Sequence, residues 1–138
     1  MLHETEMTSV NDRERLLQAV DRALSSWVTY APYLDFFRRK LRRSRAVPAE
    51  EVPRDIITMN SRFALRDEKT GDTTWYTLVY PEDEAAYDGK LSVLSPMGMA
   101  CYGAKVGEEV CWISATGAQV ATVKELYYQP EAAGHRDR

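Results

Sequence analysis

The sequence predicts an α+β fold in which a short antiparallel helical hairpin precedes an antiparallel β-sheet domain with one short helix. Apolar residues recur at helical spacing up to residue 45, and runs rich in β-branched and aromatic residues, separated by turn sequences, follow from residue 55. The charge changes at the same place. Residues 1–45 carry nine Lys and Arg against six Asp and Glu, whereas residues 46–138 carry nine against fifteen, which indicates two segments with different surfaces.

The first helix is predicted over residues 12–27. Asn11, with Glu14 three residues later, forms a capping-box pattern that is typical of a helix start. Residues at helical spacing then form one apolar stripe: Leu16, Leu17, Val20, Leu24 and Trp27. This stripe predicts a helix with a single buried face.

A second helix is predicted over residues 32–45, because Pro32 suits the first helical turn. Leu34, Phe37 and Leu41 supply its apolar stripe. The connection between the two helices is so short that they must fold back on each other, with arms of about 20 Å each at about 1.5 Å per residue.

After this hairpin the sequence predicts short strands over residues 55–59, 62–67, 73–80, 91–94, 110–113 and 119–128, with a short helix over 97–102. Tight turns between neighbouring strands are predicted at residues 69–72 and 116–117. The chain therefore divides into a helical hairpin (1–46), a linker (47–53), a β-rich domain (54–130) and a disordered tail (131–138).

The composition argues against several classes of function. The two histidines, His3 and His135, lie near the chain ends, so the usual general base is missing from the folded interior. Cys101 and Cys111 are too few for a disulfide scaffold or a Cys-rich zinc site. No apolar run approaches the roughly 20 residues that span a membrane, and no signal peptide is visible. We expect a cytoplasmic, non-enzymatic protein without metal, cofactor, small-molecule substrate or membrane contact.

The second helix carries six cations within eight residues: Arg38, Arg39, Lys40, Arg42, Arg43 and Arg45. One interpretation is a solvated helix face whose last cations complement the helix dipole. Another is a surface for an acidic protein or a nucleic-acid backbone, formed mainly by Arg38, Arg39, Arg42 and Arg43. The sequence alone does not decide between them.

Five sequence blocks, in order over about 80 residues, resemble the C-terminal FKBP-like domain of the Gre transcript-cleavage factors. They are VPRDIITMNSR (52–62), TLVYPED (77–83), LSVLSPMGMA (91–100), GAKVGEE (103–109) and YQPEAAG (128–134). They are most similar to a related family, the regulators of nucleoside diphosphate kinase. The helical hairpin fits the shortened N-terminal segment of that family by position and length.

The resemblance implies docking on RNA polymerase at the entrance of its secondary channel. In Gre factors a Ser-Pro segment at the start of the short helix contributes to docking, and the matching residues here are Ser95 and Pro96, flanked by Leu94 and Met97. Leu94 stands where relatives often carry a polar or acidic residue. Ser95 and Pro96 also read as an N-cap followed by proline at the first helical position, and both roles are compatible.

Gre factors cleave stalled transcripts with an acidic pair at the tip of a long finger, which helps to hold a catalytic magnesium ion. Here the arms are short, and the tip (residues 25–35, which include Tyr30) has one carboxylate, Asp35, which is a weak magnesium site on its own. The resemblance therefore implies a regulator that binds polymerase without catalysis and competes with Gre factors. Two alternatives stay open: regulation of the level or the activity of nucleoside diphosphate kinase, directly or through its expression, or binding of DNA or RNA through the second helix.

Overall fold

A computed structural model describes residues 7–25 and 32–134. Helices α1 (Val10–Ser25) and α2 (Pro32–Arg43) form the predicted antiparallel hairpin. Their direction is visible in two contacts: Arg13 near the start of α1 donates to the carbonyl of Arg42 near the end of α2, and Asp21 pairs with Arg38. Trp27, the last residue of the predicted first stripe, lies outside the described residues.

The start of α1 differs from the sequence prediction. Ser9, rather than Asn11, caps the helix, and its Oγ accepts a hydrogen bond from the Asp12 N–H at 3.0 Å. Ser9 is buried, so its hydroxyl needs a protein partner, whereas Asn11 is exposed to water. The helix consequently begins two residues earlier than predicted.

The second helix also ends earlier than predicted, at Arg43. Strand β2 (Arg45–Val47) follows and pairs in parallel with β1 (Met7–Ser9), and neither strand was predicted. This pairing satisfies backbone groups that the helix would otherwise have used. It also fastens the segment before α1 to the segment after α2.

The main sheet has five strands in the order β5-β4-β3-β7-β6. Its strands are β3 (Arg62–Asp67), β4 (Thr73–Val79), β5 (Lys90–Ser92), β6 (Glu109–Ser114) and β7 (Gly117–Tyr128). All pairs are antiparallel except β4 with β5, which is parallel because the chain crosses back through two 3₁₀ turns, Pro81–Asp83 and Ala86–Asp88. Helices α3 (Pro96–Cys101) and α4 (Pro130–Ala133) complete the fold.

The helical hairpin and the sheet share one hydrophobic core. Leu16 and Val20 of α1 and Phe37 of α2 pack with residues of the β-rich part such as Met59 and Phe63. The division of the chain at residues 47–53 stays a prediction, and Val47 and Val52 from that segment form a second small cluster with Ile56. None of the helices in the described ranges is long and apolar enough to cross a membrane.

The strand predicted over residues 55–59 is not formed. Ile56 makes an isolated bridge to Lys105, and Ile57 donates to the Ala104 carbonyl at 2.9 Å and accepts from the Gly103 N–H at 2.8 Å, but no continuous ladder follows. A tight turn explains this, because the Thr58 N–H donates to the Ser61 Oγ at 2.9 Å and interrupts any extended run.

The segment from residue 131, predicted to be disordered, begins with an ordered helical turn. The Gln129 side chain caps α4 by accepting from the Ala132 N–H at 3.2 Å, and its amide nitrogen donates to the carbonyls of Pro53 and Ile56, each at 2.8 Å. These bonds tie the end of the chain to the buried loop before β3. Residues 135–138 lie outside the described part.

Candidate functional site

The segment matched to the Gre docking motif starts helix α3. Ser95 is the N-cap: its Oγ accepts from the Gly98 N–H at 3.0 Å and donates to the Ser92 carbonyl at 2.7 Å. Pro96 occupies the first helical position, where its missing N–H removes no hydrogen bond. The local interpretation of Ser95 and Pro96 is therefore confirmed, while their role in binding a partner stays a prediction.

Gly98 lets α3 lie directly against the end of β5. A Cβ atom at this position would stand 2.0 Å from the Ser92 carbonyl oxygen and 2.9 Å from the Val93 Cα, and both are backbone atoms. No side chain fits there. The close approach fixes the height at which α3 presents Pro96 to the surface and packs the buried Met99 beneath it.

An apolar groove of about 510 Å³ runs between α2, α3 and β6. We call it the aromatic groove and define it by its lining residues: Tyr33, Phe36, Phe37, Lys40, Pro96, Met99, Ala100, Cys111, Trp112 and Ile113. Three large apolar side chains in it remain substantially exposed, namely Tyr33 (47 %), Phe36 (48 %) and Ile113 (70 %). Exposed apolar surface gathered in one groove is typical of a partner-binding site.

The outer wall of the groove is an edge strand. Strand β6 pairs with β7 on one side only. Cys111 and Ile113, two residues apart, lie on the same exposed face of β6. Phe37, on the inner wall of the groove, is held in place by Tyr102, the residue that follows α3. The Tyr102 ring meets Phe37 edge-to-face at 6.2 Å, and its hydroxyl bonds to the hydroxyl of Thr8. Burial raises the pKa of Tyr102, so this hydroxyl stays protonated.

The groove joins two features that are far apart in the sequence. Pro96 of the predicted docking segment and Lys40 of the basic helix line the same surface. Lys40 also donates to the Tyr102 carbonyl at 3.3 Å. Leu94, Ser95 and Met97 lie beside Pro96 and are partly buried.

The arginines of the basic helix do not behave alike. Arg38 and Arg39 form ion pairs with Asp35 at 2.5 Å and 2.9 Å, and Arg38 also reaches Asp21 at 3.5 Å. The hydrogen bond from Arg38 is the main reason why the pKa of Asp35 is lowered. Asp35 therefore offsets part of the charge of Arg38 and Arg39, whereas Arg42 and Arg43 are exposed at the end of α2. The role of all four arginines in binding a partner stays a prediction.

Of the predicted hairpin tip, the structure describes residue 25 and residues 32–35. Tyr30 lies outside the described residues, and Asp35 is engaged by two arginines in the first turn of α2. Within residues 7–25 and 32–134, no group of three or more His, Cys, Asp or Glu side chains could hold a metal ion.

Most of the groove was not predicted from the sequence. Phe36 lies off the buried stripe of α2, three residues after Tyr33 and four before Lys40, and this helical spacing was the available signal for a second face. Ile113 gave a weaker signal, an apolar residue on the outward-facing side of a strand. Neither signal indicates which elements meet.

Comparison with known proteins shows that the chain is similar to transcription elongation factors. The family profile described as "Transcription elongation factor, GreA/GreB, C-term" matches residues 52–128. The chain is similar to the regulator of nucleoside diphosphate kinase of Escherichia coli strain K12, with 42 % identity over 106 residues, covering 75 % of this chain and 76 % of the relative. It is also 33 % identical over 72 residues to the transcription elongation factor GreA of Syntrophomonas wolfei, of which it covers 45 %.

A solved structure agrees with both sequence matches. The chain superposes on the prokaryotic transcription elongation factor GreA/GreB from Nitrosomonas europaea with a TM-score of 0.75 and 31 % sequence identity. The superposition covers 91 % of this chain and all of that one (100 %). It therefore includes the helical hairpin as well as the sheet.

Proposed function

The chain belongs to the GreA/GreB family of transcription elongation factors, and from this we propose that it is a regulator that binds RNA polymerase near the secondary channel without catalysing a reaction. It would compete there with longer Gre factors. The proposed partner implies a cytoplasmic location.

The aromatic groove is the observation that supports this proposal most strongly. It sets Pro96, from the segment that resembles the Gre docking motif, beside the exposed rings of Tyr33 and Phe36. Aromatic anchors in a desolvated pocket supply most of the binding energy at protein interfaces. Arg42 and Arg43 continue the same helix and would add electrostatic attraction to an acidic partner, mainly by raising the association rate.

Replacing an exposed ring in the groove is expected to weaken binding to core RNA polymerase. Tyr33→Ser and Phe36→Ser should each raise the dissociation constant about tenfold or more, because each removes a large apolar contact from the interface. Interferometry with immobilised, purified core polymerase would measure this.

Tyr87→Ser is the matched control for these variants. Tyr87 is fully exposed (105 %) and does not line the groove, so its replacement should leave the affinity unchanged within about twofold. Equal losses in the groove variants and the control, or no loss in any of them, would remove the groove from the proposal.

The printed name of the Escherichia coli relative supports a second candidate function, regulation of nucleoside diphosphate kinase. We propose that such an effect is indirect and operates through transcription of the kinase gene. A direct effect would appear as a change in the activity of purified kinase when the purified protein is added, and that result would favour the second candidate.

Binding of free nucleic acid is the remaining alternative. The ion pairs of Arg38 and Arg39 with Asp35 reduce the positive charge that α2 offers to phosphates. Steeply salt-dependent binding of DNA or RNA without polymerase would nevertheless favour it.

A further inference from the structure

A second cleft, of about 540 Å³, opens at the far end of β4 and shares no lining residue with the aromatic groove. We call it the arginine cleft and define it by its lining residues: Arg15, Asn60, Arg62, Thr77, Tyr80, Asp83, Tyr127 and Tyr128. Its volume lies within the range of about 300–1,000 Å³ that is usual for small-molecule sites.

The sheet register builds the floor of this cleft. Arg62 at the start of β3 stands opposite Thr77 of β4 and Tyr128 of β7, so the three side chains form a row across neighbouring strands. Arg15 approaches from α1 above this row. Two guanidinium groups from distant parts of the chain therefore converge on one opening.

Aromatic rings contact both guanidinium groups, and the Asp12 carboxyl interacts with Arg15 through its charge without an ion pair within 4.0 Å. The Arg15 Cζ lies 4.1 Å from the centroid of the Tyr80 ring, and the Arg62 Cζ lies 5.7 Å from the centroid of Trp75. Among the described residues, neither arginine forms an ion pair within 4.0 Å. An arginine above a ring keeps its in-plane N–H donors available, and these match the oxygens of a phosphate.

The Tyr80 hydroxyl provides an independent indication of a ligand. It is buried and lines the cleft. The Asp12 carboxyl is near enough to be influenced by it, but no hydrogen bond of regular geometry joins the Tyr80 hydroxyl to any residue that the structure describes. Burial raises the pKa of Tyr80, so the hydroxyl keeps its proton and remains a donor. A buried hydroxyl without a well-placed partner is costly, and a ligand oxygen in the cleft would supply the partner.

The remaining lining residues narrow the chemical class of the ligand. Asp83 offers a carboxylate that accepts hydrogen bonds from sugar hydroxyls, and the Asn60 amide can both donate and accept. Tyr127 is largely exposed and packs edge-to-face on Trp75 at 5.7 Å, which leaves an aromatic face for a base. The two arginines can bind phosphates, Asp83 can bind a ribose and Tyr127 can stack on a base, so the lining residues fit a nucleotide.

We propose that the arginine cleft binds a free nucleoside di- or triphosphate, with the phosphates on Arg15 and Arg62 and the base beside Tyr127. The surroundings favour a free nucleotide over an RNA chain. Residues 46–138 carry nine Lys and Arg against fifteen Asp and Glu, whereas single-stranded nucleic acid needs an extended positive track.

Isothermal titration calorimetry of the whole chain, without polymerase, would test the proposal. The probes are ATP, GTP, adenosine, guanosine, inorganic triphosphate and a 12-nucleotide single-stranded RNA. We expect ATP or GTP to bind, and the free nucleosides, the triphosphate and the RNA to bind at least about tenfold more weakly.

Variants with a matched control localise the site. Arg15→Gln and Arg62→Gln should each weaken nucleotide binding about tenfold, because each removes charge-assisted hydrogen bonds. Arg66→Gln is the control. Arg66 is exposed on β3, four residues after Arg62, and does not line the cleft, so nucleotide binding should change less than about twofold. Tyr80→Phe, which removes only the hydroxyl, should weaken binding while leaving the unfolding temperature unchanged or higher.

Three results would overturn the proposal. The first is that neither nucleotide binds, and the second is that inorganic triphosphate alone binds as tightly as the nucleotides. The third is that the RNA binds more tightly and that Arg62→Gln and Arg66→Gln lose affinity equally. Because polymerase takes no part in these measurements, their failure leaves the proposed regulatory function untouched.

Discussion

The stability of the folded chain is expected to fall as the pH rises from about 4 to about 7, with Asp12 as the main cause. Asp12 lies in the first turn of α1 and is only 1 % exposed. Burial raises its pKa to about 7, and the nearby carboxylate of Glu131 acts in the same direction. A hydrogen bond from the Met59 N–H at 3.3 Å, the charge of Arg15 and the Tyr80 hydroxyl offset part of this effect.

The direction follows from comparing the folded and unfolded states. An unfolded Asp titrates near 3.9, so the folded chain keeps a proton on Asp12 over a pH range in which the unfolded chain has released it. The stabilisation is complete below about pH 4, is lost progressively up to about pH 7, and stays lost at higher pH. One pKa unit corresponds to about 1.4 kcal/mol, so the upper limit of the change is on the order of 4 kcal/mol.

Asp12→Asn tests this directly. The amide oxygen can still accept from the Met59 N–H, and the side chain can no longer carry charge. We expect the variant to be more stable than the native chain at pH 8, by on the order of 2 kcal/mol, and about equal to it at pH 4.5. Urea unfolding at a series of pH values would measure the difference.

Asp21→Asn serves as the control on the same helix, because Asp21 is exposed and pairs only loosely with Arg38 at 3.5 Å. Its replacement should leave the pH profile essentially as it is. If Asp12→Asn keeps the native pH dependence over this range, Asp12 is not the titrating group.

Gly98→Ala is expected to be the most disruptive single substitution near the aromatic groove. The added Cβ would meet the Ser92 carbonyl oxygen at 2.0 Å and the Ser92 carbonyl carbon at 2.8 Å, and backbone atoms cannot rotate away as a flexible side chain can. Helix α3 would have to separate from β5. We expect a loss of about 3 kcal/mol or more in the free energy of unfolding, measured in urea.

Gly107→Ala separates this steric effect from the general cost of replacing a glycine. Gly107 has a φ of +95°, and a Cβ atom added there would meet no atom of the described residues within 4 Å. Its replacement therefore introduces backbone strain alone, about 1–2 kcal/mol. Equal losses at both positions would show that the close approach of α3 to β5 is not what makes Gly98 necessary.

The elements that the sequence predicted well are those with local causes. The turn after β3 follows from Asp67, whose carboxylate accepts from the Lys69 N–H at 2.7 Å, and from Gly71 with a φ of +78°. The start of α3 follows from Ser95 and Pro96 in the same way. Each is decided by residues a few positions apart, so the sequence contains the necessary information.

The features that were missed depend on residues far apart in the chain. Strands β1 and β2 are three residues long and exist only because Met7 and Arg45 come together once the hairpin has folded. Ser9 and Asn11 are both good caps, and only burial selects Ser9. The groove arises where α2, α3 and β6 meet, and no local pattern specifies that meeting.

We propose that this chain occupies the Gre site on polymerase without catalysing a reaction. The most direct test is transcript cleavage in backtracked elongation complexes, measured with the protein alone and with increasing amounts of it added to a cleavage-stimulating Gre factor. We expect no cleavage from the protein alone and a progressive loss of cleavage by the Gre factor. Cleavage by the protein alone, or undiminished cleavage by the Gre factor at large excess of the protein, would contradict the account.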